Sequence, residues 1–244
     1  MYPDAVDGVT YRDEPIPIPE LIEELDEILS QPDQNRLDHP VIKEMEKGEL
    51  SREQIAGWIY QITRWANPSN IRMGAMYAKC PDDDLRVMIL DNLSEEETGS
   101  ESGTAGHVEL FERTFTELGW DEQRRATEDV KMETWALAHW FEVVMTQRSL
   151  AEAIAAVSFS AERINPLCFS KVEKALRTNY EISEWGLQSI AVHASHVEQE
   201  HGSLGPRTFE RYCQSADMQN KLRFTVAHTN DLYYRQWMSY RHYQ

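Results

Sequence analysis

Apolar residues in this chain recur at spacings of three and four, and no segment alternates with period two for long enough to form a strand. From Glu20 to Ser30, Leu21, Ile22, Leu25, Ile28 and Leu29 make one apolar face. Ile55, Trp58, Ile59, Ile62 and Trp65 repeat the pattern further on. Such a chain can bury its apolar surface only by packing helix on helix. With Gly 11 and Pro 10 in 244 residues, turns are too few for a many-stranded fold. The reading is an all-α fold, a compact bundle of about seven to nine helices.

Breakers and caps divide the bundle. Residues 1–19 carry Pro3, Pro15, Pro17 and Pro19 and read as an extended arm, leaving 20–244 as a single helical domain. His39-Pro40 opens a second helix and Gly48 closes it, while Ser51 and Gln54 form a capping box for a third. That third helix meets a kink or break at Pro68 and resumes toward Tyr77. After Cys80-Pro81, Asp82 to Asp84 suit a first helical turn, with Leu85, Met88, Ile89 and Leu93 facing inward. Gly99, Gly103 and Gly106 interrupt this helix. Further helices are expected at about 106–118, 122–147, 149–176, 182–202 and 206–240. No repeat of 20 to 50 residues is present.

Charge narrows the partners. A formal net charge of -18 opposes binding to a phosphate backbone or an anionic membrane, and no apolar run approaches the roughly 20 residues of a membrane span. Neither nucleic acid nor membrane is expected as a partner. Cys80, Cys168 and Cys213 are odd in number and widely spaced, and the N-terminal stretch lacks a secretion signal. A reduced, cytoplasmic setting fits both. Tyr233, Tyr234, Trp237, Tyr240 and Tyr243 could cover either a homodimer partner or the chain's own bundle.

Bundles hold metals by projecting carboxylates and imidazoles inward from several helices. Glu96 and His107 are eleven residues apart, which would return both to one face of an unbroken helix. The glycines can change that register, so Glu95 and Glu97 compete with Glu96. Glu162 sits among small apolar residues, where a charge requires a partner, either a metal or an arginine such as Arg163. His193, His196, Glu198, Glu200 and His201 fall within nine residues. His193, Glu198 and His201 suit two neighbouring metals or a helix with a π-bulge, and His193 with Glu200 and His196 offers another register.

His39-Pro40, GELSREQIAGWIYQ, Cys80-Pro81, AERINP at 161–166 and EHG at 200–202 occur in an order that resembles the haem-oxygenase-like superfamily. That group includes thiaminase II proteins, pyrroloquinoline-quinone synthase C proteins and haem-oxygenase-like diiron oxidases. The resemblance spans roughly residues 37–240 and is greatest to the diiron branch. It implies Glu96, His107, Glu162, His193, Glu198 and His201 as metal ligands, with Glu162 and His201 central to catalysis. The chain departs from the family in a longer Glu96–His107 spacing and in one extra residue between His193 and Glu198.

What the resemblance implies is an oxidoreductase using two ferrous ions per chain and dioxygen to oxidise a small substrate, an amino acid or amine-type metabolite. Arg72, Arg64 and Arg163 are the candidates for a substrate carboxylate. The alternative is a cofactor-free oxidase similar to the quinone synthase branch, or a metal-free small-molecule binding module. The thiaminase branch needs a nucleophilic cysteine, and Cys168 lies in the wrong local pattern.

Overall fold

A computed structural model describes residues 6, 8–195 and 203–244. Among them the regular structure is helical throughout. Helix α1 (Ile18–Leu29) starts inside the proline-rich stretch, with Pro17 as its N-cap and Pro19 in its first turn. Gln219 holds the preceding segment, accepting from the Ile16 amide at 2.9 Å and donating to its carbonyl at 2.8 Å.

Helix α2 (Pro40–Glu46) is capped by His39, whose Nδ1 accepts the Val41 amide at 3.1 Å. Both halves of the Ser51/Gln54 capping box start α3 (Arg52–Ala66). Pro68 then separates α3 from α4 (Ser69–Lys79), the expected break. Next come α5 (Asp83–Thr98) and α6 (His107–Leu118).

The helix expected over 122–147 is two: α7 (Glu122–Ala126) and α8 (Met132–Thr146). Side chains of α3 capture the backbone between them. Tyr60 donates to the Glu128 carbonyl at 3.0 Å, and Gln61 donates to the Asp129 carbonyl at 2.9 Å while accepting the Lys131 amide at 3.0 Å. These bonds replace the helical ones, which local periodicity cannot reveal.

The stretch 149–176 is also divided. Helix α9 (Leu150–Ile154) widens into a π-helix at Ala155–Glu162, and α10 (Asn165–Asn179) follows a break at Arg163 and Ile164. The π-bulge considered for 193–201 therefore has a counterpart here, ending on Glu162. Gly205 permits a close approach to this turn, since a Cβ there would lie 3.2 Å from Phe159.

Helix α11 (Glu184–His193) leads to residues 196–202, outside the described set. The last expected helix is again two, α12 (Leu204–Tyr212) and α13 (Ala216–Trp237), with a short 3₁₀ turn at Met238–His242. Gln219 accounts for the division by donating to the Cys213 carbonyl at 3.0 Å, and Ser215 caps α13.

Helix α6 packs on α11 and α3, α5 packs on α4, and α13 crosses α8 and the π-turn. Tyr233, Trp237, Tyr240 and Tyr243 are buried within the chain's own core.

Candidate metal centre

The site begins with the glycines between α5 and α6. Gly99 ends α5 in the left-handed region at φ 65°, where its N–H bonds the Glu95 carbonyl at 2.7 Å. The chain then folds back so tightly that a Cβ on Gly106 would come within 2.3 Å of the Glu97 carbonyl oxygen. His107 consequently opens α6 directly beside the last turn of α5. An unbroken helix over both residues is thereby replaced, yet the pair still meets.

Of the three competing glutamates, Glu97 points to solvent. Glu96 places Oε1 2.9 Å from His107 Nδ1. Glu95 is fully buried on the other side of the ring, with Oε1 3.3 Å from His107 Nε2. Its Oε2 accepts the backbone amides of Glu101 at 2.6 Å and Ser102 at 3.1 Å. Burial alone would raise the Glu95 pKa, but these donors together with His107 hold it below the ordinary carboxylate value. Burial likewise works against a charged His107, and the two carboxylates outweigh it, raising its pKa to about 9.

His193, at the end of α11, joins them. Its ring centroid lies 4.8 Å from that of His107, and Nδ1 is 2.6 Å from the Ser189 carbonyl. That bond commits Nδ1 as donor and leaves Nε2 as a lone-pair donor for a metal. One donor atom each from Glu96, His107 and His193 lies within 4.8 Å of the others. A mixed carboxylate and imidazole set of this kind suits iron, so these residues fit the metal implied by the resemblance.

Glu162 is 8% exposed and does not belong to that three-residue group. Its Oε1 accepts from Asn92 at 2.9 Å, which sets it beside α5 one turn before Glu96. Arg163, the alternative partner for Glu162, turns away to Asp26, with bonds of 3.0 and 2.8 Å. Glu198, His201, His196 and Glu200 lie outside the described residues.

A small cavity of about 50 Å³ opens on the cluster, walled by Trp65, Phe111, Phe169, Tyr233 and Trp237. The three arginines expected to meet a substrate carboxylate are not among its lining residues. Arg72 is paired with Glu142 at 2.9 Å, Arg163 is held by Asp26, and Arg64 lies over the Tyr60 ring at 5.6 Å. Asn67 and Asn70, which do line it, were not singled out in the sequence. Cys168 is fully buried, and burial pushes its thiol up to about 11, a poor nucleophile.

Comparison with solved structures assigns the architecture to the haem-oxygenase-like helical fold. A TenA homologue from Pseudomonas syringae superposes with a TM-score of 0.76 at 17% identity, over 96% of this chain and 100% of that one. A heme oxygenase-like domain of unknown function from Shewanella denitrificans gives 0.70 at 13% identity, over 92% and 90%. A CADD-like protein of unknown function from Nostoc punctiforme gives 0.72 at 16% identity, over 92% and 97%.

Within that fold, residues 61–234 match the family described as iron-containing redox enzymes, and the chain belongs to it. Three curated relatives are called 4-aminobenzoate synthase. The one from Chlamydia pneumoniae is 24% identical over 161 residues, 66% of this chain and 70% of the relative. The one from Chlamydia muridarum is 28% identical over 142 residues, spanning 56% of this chain and 55% of the relative. No helix among the described residues is long and apolar enough to cross a membrane.

Proposed function

We propose that the chain is an iron-dependent oxidase that uses dioxygen to oxidise a small amine-type metabolite bound in the aromatic cavity. The observation that carries this is the convergence of Glu96, His107 and His193 within 4.8 Å on one wall of that cavity. Bound iron would supply the redox chemistry, and the chain's own groups prepare the place for it. Ser189 fixes the tautomer of His193, and Glu95 braces His107 from behind. The aromatic walls limit water around the reacting centre.

Two ferrous ions per chain are the proposed complement, with Glu162, Glu198 and His201 as the remaining ligands. Of the two substrate classes, the amine is preferred. No lysine or arginine lines the cavity among the described residues, so an amino-acid carboxylate would lack its ion-pair partner. The relatives' name joins an aromatic amine to a carboxylate, and it is the aromatic amine that agrees with this cavity.

Anaerobic titration with ferrous iron, followed by air, tests the reading. About two irons retained per chain and consumption of dioxygen are expected. His107→Ala and His193→Ala should each lose at least one iron. A protein that keeps no iron yet consumes dioxygen is instead a metal-free oxidase, and one that does neither is a binding module.

A further inference from the structure

The break between α3 and α4 has a consequence inside the cavity. Pro68 has no backbone N–H to donate, so the two helices part there. At the parting, Asn67 and Asn70 both enter the cavity lining, with Trp65 beside them. Asn70 is only 8% exposed. Neither carboxamide is hydrogen-bonded to another described residue, and the buried Trp65 Nε1 likewise has no acceptor. Buried amides normally find partners because leaving them unmatched is costly. Here the buried Asn70 and the Trp65 indole line the cavity, and Asn67 joins them from an exposed position.

The other walls define what that ligand is. Trp65 stacks on Phe141 at 5.2 Å and meets Tyr233 edge-on at 5.0 Å, while Phe169 lies 5.3 Å from His193. These rigid ring faces suit a flat aromatic body. The charged groups lining the cavity are those of the metal cluster, with Glu96 carboxylate among them. Fully buried Glu95 stands directly behind, and the whole chain carries a net charge of -18. An anionic head group would meet the Glu96 carboxylate and find no lysine or arginine among the described lining residues.

We infer that the cavity binds a neutral aromatic substrate whose head group both donates and accepts hydrogen bonds, held by Asn67 and Asn70, with its opposite end toward Glu96, His107 and His193. The last part rests on the proposed redox site; the recognition by Asn67 and Asn70 does not.

Protein stripped of iron with a chelator and titrated with benzamide, benzoate and toluene, followed by tryptophan fluorescence and calorimetry, separates the two. Benzamide should bind at least about ten-fold more tightly than benzoate. Asn70→Leu should weaken benzamide about ten-fold and leave toluene within about two-fold, because only the polar contact is removed. Asn67→Ala, at an exposed position that tolerates change, should weaken benzamide about three-fold and serves if the buried variant fails to fold. Benzoate binding as tightly as benzamide, no detectable benzamide binding, or equal losses of toluene and benzamide in Asn70→Leu would each overturn the inference. Anaerobic reloading of the same preparation with ferrous iron keeps the readings apart: selective benzamide binding by a protein that takes up no iron refutes the redox site alone.

Discussion

Glu95 shows how much one carboxylate can govern without touching the cavity. Its two oxygens are divided between the loop amides of Glu101 and Ser102 and the Nε2 of His107, which leaves His107 Nδ1 facing Glu96. Glu95→Gln keeps the size and one acceptor but loses the charge that orients the imidazole. Iron affinity should fall about ten-fold or more, measured by anaerobic titration against a competing chelator. Unchanged affinity would assign Glu95 to loop closure only. His39 offers a separate test in acid. Its Nε2 is 3.0 Å from the Tyr234 carbonyl and its Nδ1 accepts the Val41 amide, so the structure holds it neutral, and burial lowers its pKa to about 3. A depressed value means that the unfolded chain takes up the proton first. The stability that neutral His39 contributes is therefore present above about pH 6.5 and is lost as pH falls toward 3. By pH 4 the loss should reach about 3 kcal/mol. His39→Asn retains a capping side chain and should flatten the curve of denaturant midpoint against pH over that range. An equally steep curve would show that other groups control acid unfolding.

Helix boundaries depend on two kinds of information, and only one is local. Ser51 with Gln54, His39 with Pro40 and the Pro68 break were legible because each acts on its own backbone neighbours. The division of 122–147 was not, because Gln61 and Tyr60, about 70 positions earlier, supply the bonds that end the helix. The π-turn at Ala155–Glu162 escaped notice for a similar reason: small residues such as Ala155, Ser158 and Ala161 read equally well as ordinary helix. In the candidate site, the spacing of Glu96 and His107 marked the pair, whereas choosing among Glu95, Glu96 and Glu97 required the fold-back at the glycines. Asn67 and Asn70 carried no local sign, since an asparagine near a proline reads as a turn residue. The fold-back makes its own prediction. Gly106→Ala would drive a Cβ against the Glu97 carbonyl at 2.3 Å, so the chain must shift at the residue before His107. Stability should drop by about 1–3 kcal/mol in denaturant unfolding, and the variant should lose iron even under conditions where it is fully folded. Retention of full iron binding would show that His107 is positioned by α6 packing and not by the loop.

The candidate ligands come from α5, α6 and α11, three elements that meet only when the bundle is assembled. Helix α6 is the common partner, packed on α5, α11 and α3, so the cavity wall and the metal cluster share one support. The C-terminal aromatic residues secure that support from the other side. Tyr243 lies over Gly57 so closely that a Cβ there would be 2.3 Å from the ring, and its hydroxyl is 2.7 Å from Gln61 Nε2. Because an unfolded chain cannot present three separated ligands together, metal binding must favour the assembled bundle. Ferrous iron at about one hundred times its dissociation constant should contribute about 2.7 kcal/mol per site, or roughly 5–10 °C in melting temperature for a chain of this size. His193→Ala should abolish most of that shift while leaving the metal-free melting temperature within a few degrees, about the effect of removing a half-buried side chain at a helix end. Calorimetry under anaerobic conditions, with and without iron, reads both numbers. If iron raises the melting temperature of His193→Ala as much as that of the wild type, the metal is held elsewhere, and α11 serves the cavity wall without contributing a ligand.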